Sequence, residues 1–163
     1  MNFKLFKIFF LEVSFVVFIS TKGMASFENT KIYIDFQKFE NIKKYNSYIL
    51  CPKDYCENIL PDKFSPKYKI SMLDLKSLLI RIIYDSERVR FVKYKKNHYQ
   101  FIQKSKFFRF PDIIDVKFLN LDGYATFIVY SRSKYGFFDF NVNRNRVEKW
   151  LKQLNVKANE GLN

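Results

Sequence analysis

The side chains with the most ligand-binding potential lie in one run near the C-terminal end. Between Ser131 and Arg146 the sequence places Arg132, Arg144 and Arg146 around Asp139, with Gly136 and Asn143 in the same stretch. Guanidinium groups grip phosphate or carboxylate through paired donors. A helix capped by Asn143 would add free amides and a favourable dipole for an anion. Arg132, Arg144, Arg146 and Asn143 therefore form a candidate anion site. The same residues have an internal reading. Asp139 bridges Arg132 or Arg146 and pins the loop to the helix, with Ser131 and Gly136 shaping the turn. Such pairs fix geometry even where they add little net stability.

Acid–base work by Asp139 lacks a second carboxylate at a defined spacing, and no residue is assigned a catalytic role. His98 is the single histidine. It sits at a strand turn beside Asn97 and Tyr99 and reads as a surface or turn residue. An envelope hydrolase would need His98 and Asp139 in one cleft. Cys51 and Cys56 are the two cysteines. In an oxidising compartment their default state is a disulfide, with free thiols as the other reading. A metal or redox reading of the pair needs more ligands than the single histidine supplies, and no cofactor is expected.

The elements that must position these residues follow from periodicity. Ser71 and Asp74 make an S-x-x-D cap, and Leu75, Leu78, Leu79 and Ile82 repeat as one buried helical face. Arg88 to Lys95 and Tyr99 to Lys104 read as strands joined around Asn97. Ile114, Val116 and Phe118 alternate with polar residues as a half-buried strand. Asp122-Gly123 marks a hairpin turn into a central strand, Tyr124 to Ser131. Val147, Trp150, Leu151 and Leu154 stripe a final helix, with a flexible tail over 156–163. Phe107, Phe108 and Phe110 are expected to pack beneath the sheet, the other reading being an exposed apolar patch. This order predicts an α+β fold, a small antiparallel sheet of about four to five strands with helices packed mainly on one face.

The first 25 residues read as a signal peptide. Lys4 and Lys7 precede an apolar stretch from Ile8 to Ile19, interrupted by Glu12, and Gly23-Met24-Ala25 places cleavage after Ala25. The run is short for a membrane span. An uncleaved anchor over residues 5–19 is the alternative. Residues 26–48 form an N-terminal arm, mixed in polarity, ahead of the domain at 49–155. The 163-residue chain carries 29 basic and 16 acidic residues, net +13. Of this, +2 falls on the leader, leaving +11 on the remainder. Polyanions are the natural partners of such a field, although an AT-biased genome also raises lysine. Hydrophobic residues make up 48%, which excludes a disordered body.

The run Ser131-Arg132-Ser133-Lys134-Tyr135-Gly136 to Arg146 resembles the family catalogued as domain of unknown function 1499. That family's members typically end in S-x-S-R-x-G-x-x-D-x-G-x-N-R-x-R before a short helix. Ser131, Gly136, Asp139, Asn143, Arg144 and Arg146 fall on the pattern without a gap, and Arg132 lies within it. Asn141 stands where the family has Gly, and Lys134 where the pattern has Arg. Upstream, Cys51-Pro52 and Cys56 are similar to the family's C-P-x-x-x-N-C, with Tyr55 for Asn and one residue fewer between the cysteines. Asp112 and Asp115-Val116-Lys117-Phe118 resemble its D-D-V-E-F strand, with Lys117 for Glu. The resemblance covers roughly Ile49 to Leu154. It implies a shared fold and frequent export or membrane attachment, and no reaction.

Together these features point to a periplasmic or secreted, non-enzymatic domain. Its expected role is structural or anion-binding, with phosphate, anionic lipid or acidic glycan as partner classes. The alternatives are the hydrolase and charge-driven, non-specific nucleic-acid binding.

Overall fold

The computed structural model describes residues 34–36, 45–53, 55, 56, 60–136 and 138–160. The leader at 1–25 and most of the arm at 26–48 lie outside them. Six strands and two helices follow in order: β1 (Ser47–Cys51), β2 (Lys63–Phe64), α1 (Met72–Tyr84), β3 (Val89–Lys95), β4 (His98–Lys104), β5 (Pro111–Leu121), β6 (Tyr124–Ser133) and α2 (Val142–Glu160). The strands form one mixed sheet, ordered β2-β1-β6-β5-β4-β3. Only the short β1–β2 pair is parallel. The fold is α+β as expected, with six strands rather than four or five.

Local chemistry explains most of these elements. Ser71 Oγ accepts from the Asp74 amide at 3.0 Å and donates to its carboxylate at 2.6 Å, closing the cap of α1. Asp122 and Gly123 both take positive φ (50° and 79°), the requirement of a two-residue turn between twisted strands. β5 and β6 then pair over their whole length, from Leu121↔Tyr124 to Asp112↔Ser133. The sequence reading misses β1, whose partner β6 lies some 80 residues later (Ser47↔Arg132). It also stops α2 early. The helix runs to Glu160 because Ala158 extends the buried stripe of Trp150, Leu151 and Leu154.

Strand alternation divides the core. On one face Ile114, Val116, Phe118, Phe127 and Val129 pack against Leu75, Leu79 and Ile83 of α1 and Val147 and Trp150 of α2. On the other face Ile49, Ile128 and Tyr130 are covered by Ile34 and Phe36 of the arm and by the Cys51–Cys56 loop. Among the described residues no helix is long and apolar enough to cross a membrane.

Cys51 and Cys56 are disulfide-bonded, stapling this loop to the end of β1. The cross-link closes only a short loop, so reduction is expected to cost about 2 kcal/mol. Urea melts with and without reductant, compared with Cys51→Ser/Cys56→Ser, measure this.

Candidate functional site

The signature begins where β6 ends, so its first three residues alternate across the sheet. Ser131 and Ser133 face the helices and Arg132 faces the arm. α2 runs over the first face and brings Arg146 down onto it. Arg146 Nη2 pairs with Asp112 of β5, and both side chains are buried. Its Nη1 donates to Ser131 Oγ and to Asn143 Oδ1, each at 2.7 Å, and its Nε donates to Gln103. Asp112 also accepts from Ser133 Oγ at 2.8 Å. Asn143 is fully buried. Its Oδ1 accepts from Ser131 Oγ at 2.6 Å, and its Nδ2 reaches the Asn46 carbonyl at 3.0 Å and Asp139 at 2.7 Å.

Asp139 takes a different partner from the expected one. It bridges neither Arg132 nor Arg146. Its carboxylate accepts from the amides of Asn141 (3.2 Å) and Asn143 (3.0 Å), and its carbonyl accepts from Val142 N. Asp139 thus does the capping expected of Asn143, which lies inside the first turn as a core contact. A carboxylate at a helix start is favoured by the dipole. Here the protein's own carboxylate takes amides that an external anion would need. The approach is tight. Gly136, Phe140 and Asn141 all have positive φ (86°, 50° and 62°), and Asn46 Nδ2 holds the Gly136 carbonyl. Asn141 takes the left-handed conformation for which the family uses Gly.

On the opposite face Arg132 Nη1 binds Asp115 Oδ2 at 2.6 Å and stacks over the Tyr130 ring at 4.7 Å. His98 Nε2 lies 2.9 Å from Asp115 Oδ1, which also accepts from Gln100 at 3.1 Å. His98 is therefore no surface or turn residue. It is the first residue of β4, buried beside Phe36. Burial opposes charge on Asp115, but the hydrogen bond from His98 and the Arg132 guanidinium outweigh it. They hold the carboxyl below its usual range. His98 and Asp139 lie on opposite faces of the sheet, so the cleft needed for a hydrolase using both is not formed.

Arg144 is the signature arginine left at the surface. It has no ion pair among the described residues, and its guanidinium lies 5.6 Å from the Tyr48 ring. It walls an open cleft of about 330 Å³ with Tyr45, Ser47, Tyr48, Asp62, Asp139 and Asn141. The Tyr48 hydroxyl donates to Glu148, which pairs with Lys63 at 2.8 Å. Burial, then Glu148, push the Tyr48 phenol up, while the Lys63 hydrogen bond draws Glu148 down. Among the described residues no group of three or more acidic, Cys or His side chains could hold a metal ion.

The four candidate residues are thus dispersed. Arg146 and Asn143 share one buried network, Arg132 lies behind the sheet, and Arg144 lines the cleft. The sequence singles out Asp112 and Asp115 only as part of an acidic strand and assigns no site role to them, to Gln103 or to Asn46, which satisfy the first three. The available signal was chemical: two arginines destined for burial require two carboxylates, and Asp112 and Asp115 were the acids on the adjacent strand. Residues 40–154 match the profile of the family described as "Protein of unknown function (DUF1499)". No curated protein matches the chain.

Removing Arg146 strands Asp112 without its charge partner. Arg146→Ala is expected to destabilise the fold by about 3–5 kcal/mol, and Arg146→Met with Asp112→Leu to recover part of that loss, both read by urea melts. Asp115 titrates below the unfolded value of about 3.9. Its stabilising contribution is present above that value and lost as pH falls through the lower folded one. Asp115→Asn should lower stability at neutral pH and flatten the acid limb of the stability profile below about pH 4.

Proposed function

The chain belongs to the DUF1499 family, and from that premise we propose that it is an exported, non-catalytic domain of the cell envelope that binds an anionic group at Arg144. One observation carries this reading. Of the three arginines in this run, Arg132 and Arg146 pair with buried carboxylates, whereas Arg144 stands at the wall of an open cleft with no ion pair among the described residues. The Asp139 carboxylate in that cleft is engaged by helix amides, and Asp62 Oδ2 accepts from Ile49 N at 2.9 Å. Their bonds draw on the charge that would otherwise oppose an incoming anion. Tyr45 and Asn141 add a hydroxyl and an amide group. A phosphate or a sugar carboxylate fits that donor set.

Export rests on the leader at residues 1–25, with cleavage after Ala25 or retention as an anchor over residues 5–19. The disulfide is consistent with an oxidising compartment. The arginines behind Arg144 have a structural role in this reading, since they hold the helix that presents it.

Titration calorimetry of the chain with inorganic phosphate and with glucuronate, at low salt, tests the site. Saturable binding that Arg144→Gln weakens by about tenfold or more is expected, the scale of one charge-assisted hydrogen bond. Binding that ignores Arg144, or no heat with either anion, sinks the proposal.

A further inference from the structure

We infer that the end of the sheet carrying the β4–β5 and β6–α2 loops docks on an anionic lipid surface. The β4–β5 loop does not pack beneath the sheet as its sequence suggests. Phe107 is 80% exposed, Phe108 77% and Phe110 54%. The strands separate at Lys104↔Pro111, so the loop projects past the last pair and its rings have no core to reach. Its sequence, Lys104-Ser105-Lys106-Phe107-Phe108-Arg109-Phe110, sets three basic residues among three phenylalanines with no acid. All of these except the half-buried Ser105 are exposed.

The second loop stands beside the first. Lys134 N bonds to the Pro111 carbonyl at 3.0 Å, at the foot of both. It carries Tyr135 (53% exposed), Phe138 (80%) and Phe140 (90%). Phe140 is displayed in a left-handed conformation (φ 50°) that bulky residues avoid. Two loops that meet at one end and both expose aromatic side chains form a shared patch, and exposed apolar patches of this kind mark interaction sites.

Charge complementarity identifies the occupant. Aromatic side chains flanked by Lys and Arg match the lipid interface, where rings enter the headgroup–acyl boundary and cations meet anionic headgroups. Single-stranded nucleic acid also uses basic and aromatic groups, but it stacks bases on free ring faces along a groove. Here Phe108 and Phe110 stack on one another, 5.6 Å apart, on a projecting loop. Asp139 and Asn141 of the second loop also line the Arg144 cleft, but docking rests on the aromatic and basic side chains of the loops and not on Arg144, so either can hold without the other.

The full chain carrying Phe108→Trp or Phe138→Trp reports the contact locally. The native Trp150 is buried and serves as the internal control for folding. With phosphatidylglycerol vesicles, both added indoles should shift to the blue and be quenched by brominated lipid. With phosphatidylcholine vesicles they should not. Lys104→Gln/Lys106→Gln/Arg109→Gln should weaken the interaction on the order of a hundredfold, while phosphate binding at the Arg144 cleft stays unchanged. Reporters that keep their water-exposed emission on vesicles overturn the inference, even if the N-terminal segment brings the chain to the membrane. So does a shift produced by a single-stranded oligonucleotide and not by vesicles.

Discussion

A guanidinium leaves water for a protein interior only if its donors find acceptors and its charge finds a partner, because the desolvation penalty is several kcal/mol. The buried Arg146 meets that condition through residues on four separate segments: Asp112 on β5, Ser131 on β6, Gln103 on β4 and Asn143 on its own helix. The geometry of the C-terminal half follows. α2 can sit at one rotation and one height only, since a shift of either would leave a charge or a carbonyl stranded. Asn143 extends the constraint across the sheet to Asn46, which precedes β1, and back to the capping Asp139.

The second arginine obeys the same rule on the other face. Residue alternation along β6 sends Arg132 away from the helices, where Asp115 receives it together with His98 and Gln100. This polar cluster would be costly in contact with water on one side and hydrophobic residues on the other. Phe36 of the arm closes over His98, and the disulfide loop covers the adjoining surface. Ile34 and Phe36 are thus part of the domain's second core. Two acids three residues apart on one strand, Asp112 and Asp115, face opposite ways and serve opposite layers. The two acids of β5 have their explanation in these two pairs.

What was legible in the sequence was local. The cap at Ser71, the Asp122-Gly123 turn, the helical stripes and the α+β order all depend on spacings within about ten residues, and each was found. What was missed depended on distant partners. β1 has no strong pattern of its own and is a strand because β6 pairs with it. His98 was read from its neighbours in sequence, whereas its burial comes from Phe36 and its hydrogen bond from β5. Asp139 and Asn143 exchanged roles because both are good capping residues, and the choice between them was made by Ser131, to which Asn143 is committed. The signature located the right residues. Its arginines looked like one site because they are close in sequence, but strand alternation and helical rotation sent them to three different environments.

That dispersal is itself an argument about how the domain works. The internal arginines make a rigid base, and Asp139 and Asn46 fix the loop above it from both ends. A rigid loop can tolerate two successive left-handed residues, Phe140 and Asn141, at a cost of about 1–2 kcal/mol for each such non-glycine position. The buried charges are paired inside the fold. They hold in place the surface on which Arg144 and the aromatic loops are presented, which is why an ungapped polar signature can be almost wholly interior and still bear on what the protein touches.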